Sequence, residues 1–283
     1  MLVLVTGGTG TTGSRVSAGV EELGHQARRA GRRAPSADAG GEHVLFDWAK
    51  AETHGPALEG VEAVYLLPPV GVADPAPMML PFIDRALTAG VSRFVLLSAS
   101  VIPEGSPGVG TVHEALRQRV GEWAVLQPSW FMQNFTGSHP YAESIRSESS
   151  IATSTGDARV SFVDADDIAA VAVRSLLDSQ SHNRAHVITG PEALSYGEVA
   201  AIVSDAAGRP VRHLDVDPAD VQRSLIAAGL PEAFAEILVN LEGVVRSGAE
   251  DRVTDTVESI TGRPPISFRA HAEANAQAFA ERG

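Results

Sequence analysis

The chain is 283 residues long, 44% hydrophobic and 20% charged, with a formal net charge of −13 at pH 7. This excludes a disordered chain and leaves room for an α/β core with a smaller appended lobe. The acidic balance argues against nucleic acid or an anionic membrane surface as a partner. Cysteine is absent, so disulfides and thiolate metal sites are excluded and a reducing, cytoplasmic setting is expected. No basic leader precedes the first apolar run, and no apolar run approaches the length of a membrane span.

Leu2 to Val5 reads as a short buried strand. A glycine-rich turn follows without a spacer, and Ser14 to Leu23 carries Val16, Val20 and Leu23 at helical spacing. Strand, glycine-rich turn and helix form the context that a dinucleotide fingerprint requires. Gly7, Gly10 and Gly13 give a G-x-x-G-x-x-G spacing. Gly7 would allow the tight turn, Gly10 the approach of backbone N–H groups to a pyrophosphate, and Gly13 close packing of the helix on the sheet. The phosphates would then sit at the positive end of the helix dipole. A plain βα turn is the bland alternative, but glycine at this density has a conformational cost that such a turn does not require.

Further strands are predicted over 25–30, 43–46, 62–67, 93–98 and 123–127, with helices over 81–89 and 113–120. This alternation predicts an α/β fold, a Rossmann-like, doubly wound parallel sheet with the fingerprint at its switch point. Beyond about residue 135 the pattern loosens. A strand over 160–163 leads into a helix over 166–177, and 186–189 is another strand. Ser195-x-x-Glu198 is a capping-box signal for a helix to Ala207. Asp217-Pro218 starts another helix, 233–245 forms a further one, and Ser267 caps a last one ending near Arg282. Residues 1–135 are thus expected to form the dinucleotide-binding domain. Residues 136–283 are expected to form a mostly helical substrate lobe interleaved with late strands of the main sheet.

After the second predicted strand, Gln26-Ala-Arg-Arg-Ala-Gly-Arg-Arg33 holds no carboxylate, and none appears until Asp38. An acid there would bind the ribose 2′-OH of NAD, whereas a guanidinium suits a 2′-phosphate. The expected cofactor is therefore NADP(H), with Arg32 as the main contact and Arg33 or Arg29 as the second. A solvated basic edge is the alternative.

The Tyr-x-x-x-Lys pair of ordinary short-chain dehydrogenases is impossible here. Lys50 is the sole lysine, and Tyr65, Tyr141 and Tyr196 are followed four residues on by Pro69, Ile145 and Ala200. His113, at a predicted helix start, is the leading candidate acid because an imidazole titrates near neutrality. A partly exposed structural histidine is the alternative. Ser100, His139 and Tyr141 are secondary candidates. The nine histidines show no H-E-x-x-H and no i, i+4 clustering with carboxylates, so no metal site is expected. No Gly-x-Ser-x-Gly elbow appears, which argues against a hydrolase.

Taken together, several segments resemble the NmrA-like atypical short-chain dehydrogenases/reductases, in the branch of ergot-alkaloid-biosynthesis and azoreductase-like proteins. They are Thr6-Gly-Gly-Thr-Gly-x-x-Gly13, the Arg32 position, Phe46-Asp47, Leu67-Pro68-Pro69, Leu97-Ser98, the run Glu122-Trp-Ala-Val-Leu-Gln-Pro-Ser-Trp-Phe-Met-Gln-Asn-Phe135, Val163-Asp-Ala-Asp-Asp-Ile168 and Ile260-Thr-Gly-Arg-Pro-Pro265. The resemblance spans essentially the whole chain. One departure is Gln127, where the family's segment carries an arginine before the proline.

The resemblance implies roles by position. Thr9, Thr11 and Thr12 would meet the pyrophosphate with the three glycines, Asp47 and Trp48 would flank the adenine, and Leu67, Pro68 and Pro69 would line the ribose. Ser98 to Ser100 would reach the nicotinamide, and Pro128, Trp130 and Phe131 would close over it. Bland alternatives are a turn cap for Asp47, a strand stop for Pro68-Pro69, core packing for Trp130, Phe131 and Phe135, and helix caps for Asp164 and Asp167.

The expected function is an NADPH-dependent reductase of a flat aromatic or quinone-like small molecule, such as a quinone, azo compound, iminium or aromatic polyketide intermediate of secondary metabolism. The alternatives are a non-catalytic NADP(H) sensor or regulator, and an auxiliary component of an aromatic polyketide oxygenation system. The expected partner is the small substrate, with room for a homodimer or a protein partner, and neither nucleic acid nor membrane.

Overall fold

A computed structural model describes residues 1–33 and 40–280. In chain order its elements are β1 (Leu2–Thr6), α1 (Thr11–Glu22), β2 (Gln26–Gly31), β3 (Glu42–Leu45), α2 (His54–Leu58), β4 (Ala63–Leu66), α3 (Ala76–Thr88), β5 (Arg93–Leu97), α4 (Val109–Arg119) and β6 (Glu122–Pro128). Next come α5 (Pro140–Glu148), β7 (Ser150–Thr153), β8 (Arg159–Val160), α6 (Ala165–Leu177), β9 (Arg184–Ile188), β10 (Leu194–Ser195) and α7 (Tyr196–Ala207). The last are β11 (Arg212–Asp215), α8 (Pro218–Ala227), α9 (Glu232–Arg246), α10 (Thr256–Thr261) and α11 (Phe268–Ala274). No helix of the described residues is long and apolar enough to cross a membrane.

The chain divides into two compact units, Met1–Pro128 with Ala165–Val187, and Ser129–Asp164 with Ile188–Gly283. The sequence pattern placed the change at residue 135. In the structure it falls at Pro128, and α6 and most of β9 return to the first unit. Their apolar residues, Ile168, Val171, Ala172 and Leu176 among them, are fully buried there.

The first unit carries a seven-stranded sheet in the order β3-β2-β1-β4-β5-β6-β9. The pairings from β3 through β6 are parallel. The order reverses between β1 and β4, so the turn after β1 lies at the switch point, where an open α/β sheet leaves a crevice. Strands β1, β4 and β5 are apolar on both faces and buried almost throughout, as helices on both sides of a parallel sheet demand. Two predicted helix starts shift. Helix α3 begins at Ala76, with Pro77 in its first turn and Pro81 inside it. Helix α4 begins at Val109, so His113 is its fifth residue rather than its first.

The second unit packs Phe135, Phe162, Tyr196 and Phe268 edge-on at centroid distances of 5.2 to 5.6 Å for the pairs Phe135–Phe268, Phe135–Phe162 and Phe162–Tyr196. Such edge-to-face pairs are favourable for aromatic quadrupoles. The Ser195–Glu198 capping box forms as predicted, with both reciprocal bonds present. Strand β8 is only two residues long, and Val163 makes an isolated bridge to Phe131 instead of extending it. The last helix, α11, ends at Ala274 and a 3-10 turn follows over Ala276–Phe279; Arg282, like Asp38, lies outside the described residues.

One histidine cluster escapes the spacing argument. His182 lies four residues from both Asp178 and His186; its Nε2 is 3.2 Å from Asp178 Oδ2 and its Nδ1 is 2.9 Å from His186 Nε2. Burial, with the neighbouring His182 and Arg184, pushes the His186 pKa down to about 4 from 6.5. The folded state therefore binds fewer protons than the unfolded chain between these values, and stability falls as pH drops through that window. The loss from this group approaches about 3 kcal/mol at pH 4. Urea melts of the wild type and His186→Asn between pH 7 and 4 test this; equal slopes in both would refute it.

Candidate functional site

Two constellations emerge, one in each unit. The first lies at the carboxyl ends of β1, β2, β4 and β5, which parallel pairing brings to one edge of the sheet. Gly7 holds φ +66°, which an L side chain adopts only at a cost. Its carbonyl accepts the Gly10 N–H at 2.8 Å, closing the turn. Gly13 presses on that turn, not on the sheet as expected. A Cβ there would lie 2.2 Å from Gly7 O. Helix α1 is capped by Gly10 without a side-chain acceptor, and its first i→i−4 bond is made by Ser14 to Gly10 O at 3.0 Å. The N–H groups of Thr11, Thr12 and Gly13 precede that bond, so they have no acceptor within the helix and remain donors for an anion.

Thr9 and Thr11 are exposed beside this turn, whereas Thr12 is buried. The Thr12 hydroxyl accepts from Tyr65 OH at 3.1 Å, tying α1 to β4. Thr6 performs a similar service, accepting the Leu67 N–H at 2.7 Å and donating to Tyr65 O at 3.0 Å. This orients Leu67, whose side chain packs on Gly7, with half-buried Pro68 and Pro69 after it.

The arginines after β1 divide by role. Arg28 pairs with Glu42 and donates to the carbonyls of Ala57 and Glu59. Arg29 makes a bidentate pair with Glu21 at 2.6 and 2.7 Å, so it is already engaged. Arg32 and Arg33, just past β2, are exposed and make no ion pair among the described residues. Asp47 accepts the Ala49 N–H at 3.0 Å, which is the turn-cap role, and Trp48 packs edge-on to Phe46 and Phe82.

At the end of β5, Ser98 N–H donates to Leu126 O at 2.7 Å, and its buried hydroxyl has no partner among the described residues. Ser100 N–H donates to Pro128 O at 2.9 Å. At Gln127 the side-chain amide donates to Ile102 O at 2.9 Å, so a neutral bond stands where the family pattern has an arginine. His113 sits apart from this edge. It is 3% exposed, its ring centroid lies 5.8 Å from that of Trp123, the second residue of β6, and burial lowers its pKa.

The second constellation is a cavity of about 350 Å³ in the second unit. Trp130, Tyr141 and Asn134 line one side, and Val221, Leu225, Leu238 and Leu241 of α8 and α9 line another. Glu242 forms part of the wall and is only 6% exposed. Its Oε1 accepts from Tyr141 OH at 2.9 Å, and its Oε2 accepts from both the N–H and the hydroxyl of Ser154 at 2.7 Å. Burial, and then the nearby Tyr196 and Glu242, push the Tyr141 phenol well up. His139 accepts the Tyr141 N–H through Nδ1 at 3.2 Å, capping α5. The half-buried Phe131 bridges to Val163.

Of the predicted residues, Gly7 to Gly13, Arg32, Leu67 to Pro69 and Ser98 share the sheet edge of the first unit, and Trp130 and Tyr141 share the cavity of the second. Sequence reasoning missed Glu242 and Ser154. A signal existed for Glu242: with Ala235, Leu238 and Val245 it falls on the inward stripe of α9, one carboxylate among apolar residues.

Comparisons with known proteins agree with this geometry. The uncharacterized oxidoreductase YesF of Bacillus subtilis is 46% identical over 274 residues, covering 97% of this chain and 95% of that protein. Festuclavine synthase II of Penicillium roqueforti is 38% identical, covering 96% and 98%. The NAD(P)H azoreductase of Xenophilus azovorans is 36% identical, covering 98% and 99%. Among solved structures, the NADPH-dependent quinone oxidoreductase QOR2 of Escherichia coli, complexed with NADPH, has the same fold, with a TM-score of 0.82 at 21% identity over 96% of this chain and 99% of that one. The model of the NmrA-like family matches residues 1–262, and the chain belongs to that family.

Proposed function

We propose that this protein is an NADP(H)-dependent reductase of a flat, aromatic or quinone-like small molecule. The observation that carries the reading is the edge of the first unit: a glycine turn at the switch point, free first-turn amides of α1, and two exposed arginines after β2 where an acid would select NAD. The relatives named for azo-dye and festuclavine chemistry, and the quinone reductase of the same fold, support the same reading. The festuclavine relative also favours a place in secondary metabolism.

The residues fit the cofactor. The amides of Thr11, Thr12 and Gly13 would hold the pyrophosphate, Arg32 with Arg33 the 2′-phosphate, and Leu67 to Pro69 the ribose. The unpartnered Ser98 hydroxyl offers a hydrogen bond near the carboxyl end of β5. When bound, the cofactor supplies a hydride, and the chain's task is to position the acceptor and exclude water. Tyr141 cannot readily act as an acid, because its only hydroxyl proton is donated to Glu242 and its pKa is raised. His113 is buried in the core of the first unit. We therefore assign any proton transfer to water, and Tyr141 to holding Glu242.

Titration of NADPH and NADH by cofactor fluorescence, followed by addition of menadione in the same cuvette, tests the reading. NADPH is expected to bind more tightly and to be oxidised. Arg32→Ala is expected to weaken NADPH binding by about tenfold, with NADH changed less than about twofold, since one charge-assisted contact to phosphate is lost. No binding of either nucleotide would overturn the reading; binding without oxidation across a quinone panel would favour a sensor.

A further inference from the structure

We infer that Glu242 makes the cavity of the second unit selective for planar aromatic cations, and that such a cation is the class of substrate taken. The inference rests on the reading of this chain as a reductase. It starts from the charges around the cavity. Glu148, Asp220 and Glu242 contribute to its lining, and neither lysine nor arginine does. Asp220 is paired with the exposed Arg223 one helical turn away. Glu148 and Glu242 have no cationic partner among the described residues. His139 also faces the cavity, but burial pushes its pKa down to about 4, so it is neutral at physiological pH.

Glu242 differs from a surface acid. It is 6% exposed, and all three groups that donate to it, Tyr141 OH, Ser154 N–H and Ser154 OH, are neutral. Neutral donors orient and solvate a carboxylate but leave its charge uncompensated. A buried charge without a counter-charge is costly, and a cationic ligand would remove that cost on binding. The faces of Trp130 and Tyr141 suit a delocalised cation. A cavity of about 350 Å³ lies within the usual range for a small-molecule site.

The chemistry points the same way. Reduction of a neutral quinone or carbonyl leaves an oxyanion that needs a proton, and this chain lacks the Tyr-x-x-x-Lys pair that would give one. A carbon conjugated to a cationic nitrogen accepts a hydride differently. The new C–H bond forms, the π pair moves to nitrogen, and the positive charge disappears without any proton transfer. NADPH is the reductant and is oxidised to NADP⁺. The neutral product no longer complements Glu242, which favours its release.

Isothermal titration at pH 8, without nucleotide, compares 1-methylquinolinium with 4-methylquinoline, a neutral ring of similar size. The wild type is expected to bind the cation at least about tenfold more tightly. Glu242→Gln is expected to reduce that preference to less than about threefold while leaving the neutral compound within about twofold. Equal binding of both compounds by the wild type would overturn the inference, and this comparison needs no variant to fold. A folded Glu242→Gln protein that keeps the full preference would overturn it too. Because the titration contains no cofactor, its failure is distinct from failure of NADPH oxidation with menadione, which would instead overturn the reductase reading.

Discussion

Gly13→Ala is expected to abolish nucleotide binding, lowering NADPH affinity by about a hundredfold or more, which is about 2.7 kcal/mol. The added Cβ would lie 2.2 Å from Gly7 O, 2.8 Å from Gly7 C and 3.0 Å from Gly8 Cα. All three are backbone atoms of the turn, so no flexible side chain can yield. Either α1 withdraws or the turn opens, and both misplace the amides of Thr11 and Thr12. Overpacking of this kind also destabilises by about 1 to 3 kcal/mol. Gly7→Ala makes an instructive comparison. Its Cβ would meet the tip of Leu67, which can move, but its φ of +66° adds backbone strain of about 1 to 2 kcal/mol. Gly55→Ala, in α2 with nothing within 4 Å of the new Cβ, should leave affinity unchanged. Fluorescence titration of the three variants with urea melts decides the matter. Wild-type affinity in folded Gly13→Ala would mean that the turn does not cradle the phosphates.

The contrast between the two constellations explains what was legible in the sequence. The first is built from local signals: a strand, a turn with three glycines and a helix are contiguous, and the arginines after β2 follow within twenty residues. Period and punctuation suffice to find such a site. The order β3-β2-β1-β4-β5-β6 likewise follows from alternating strands and helices with right-handed crossovers. The second constellation joins residues about a hundred positions apart, Tyr141 and Ser154 with Glu242, and no local rule links them. Segments of modest length were lost for the same reason. Strands β7 and β11 pair in parallel with each other, Ser150 to Arg212 through Thr153 to Asp215, and each is only four residues long. His113 shows the opposite error. Helix α4 starts four residues earlier than the periodicity suggested, through Val109 and Gly110, and this turns a helix-start histidine into a buried one.

Asp164→Ala is expected to destabilise the protein by about 3 to 5 kcal/mol, the cost of breaking a buried ionisable pair by removing one partner. Asp164 Oδ2 lies 2.6 Å from His271 Nδ1, and their side chains are each 4% exposed. The other ring nitrogen of His271, Nε2, lies 3.4 Å from Thr136 Oγ1. Three segments of the second unit, around 136, 164 and 271, thus converge on one imidazole. Without Asp164 that imidazole would keep a single long contact among those bonds, in a setting that admits almost no water. A helix cap, the role that position alone suggested for Asp164, would account for only about 1 kcal/mol. The size of the loss therefore separates the two accounts. The double variant Asp164→Ala, His271→Phe should recover part of the loss, because it removes both polar groups and leaves neither stranded. Urea unfolding of the two single variants and the double gives the coupling, expected at about 1 to 3 kcal/mol for groups in contact. Additive losses of about 1 kcal/mol each would assign the stability of this region to the aromatic packing of Phe268 instead of the Asp164–His271 bond.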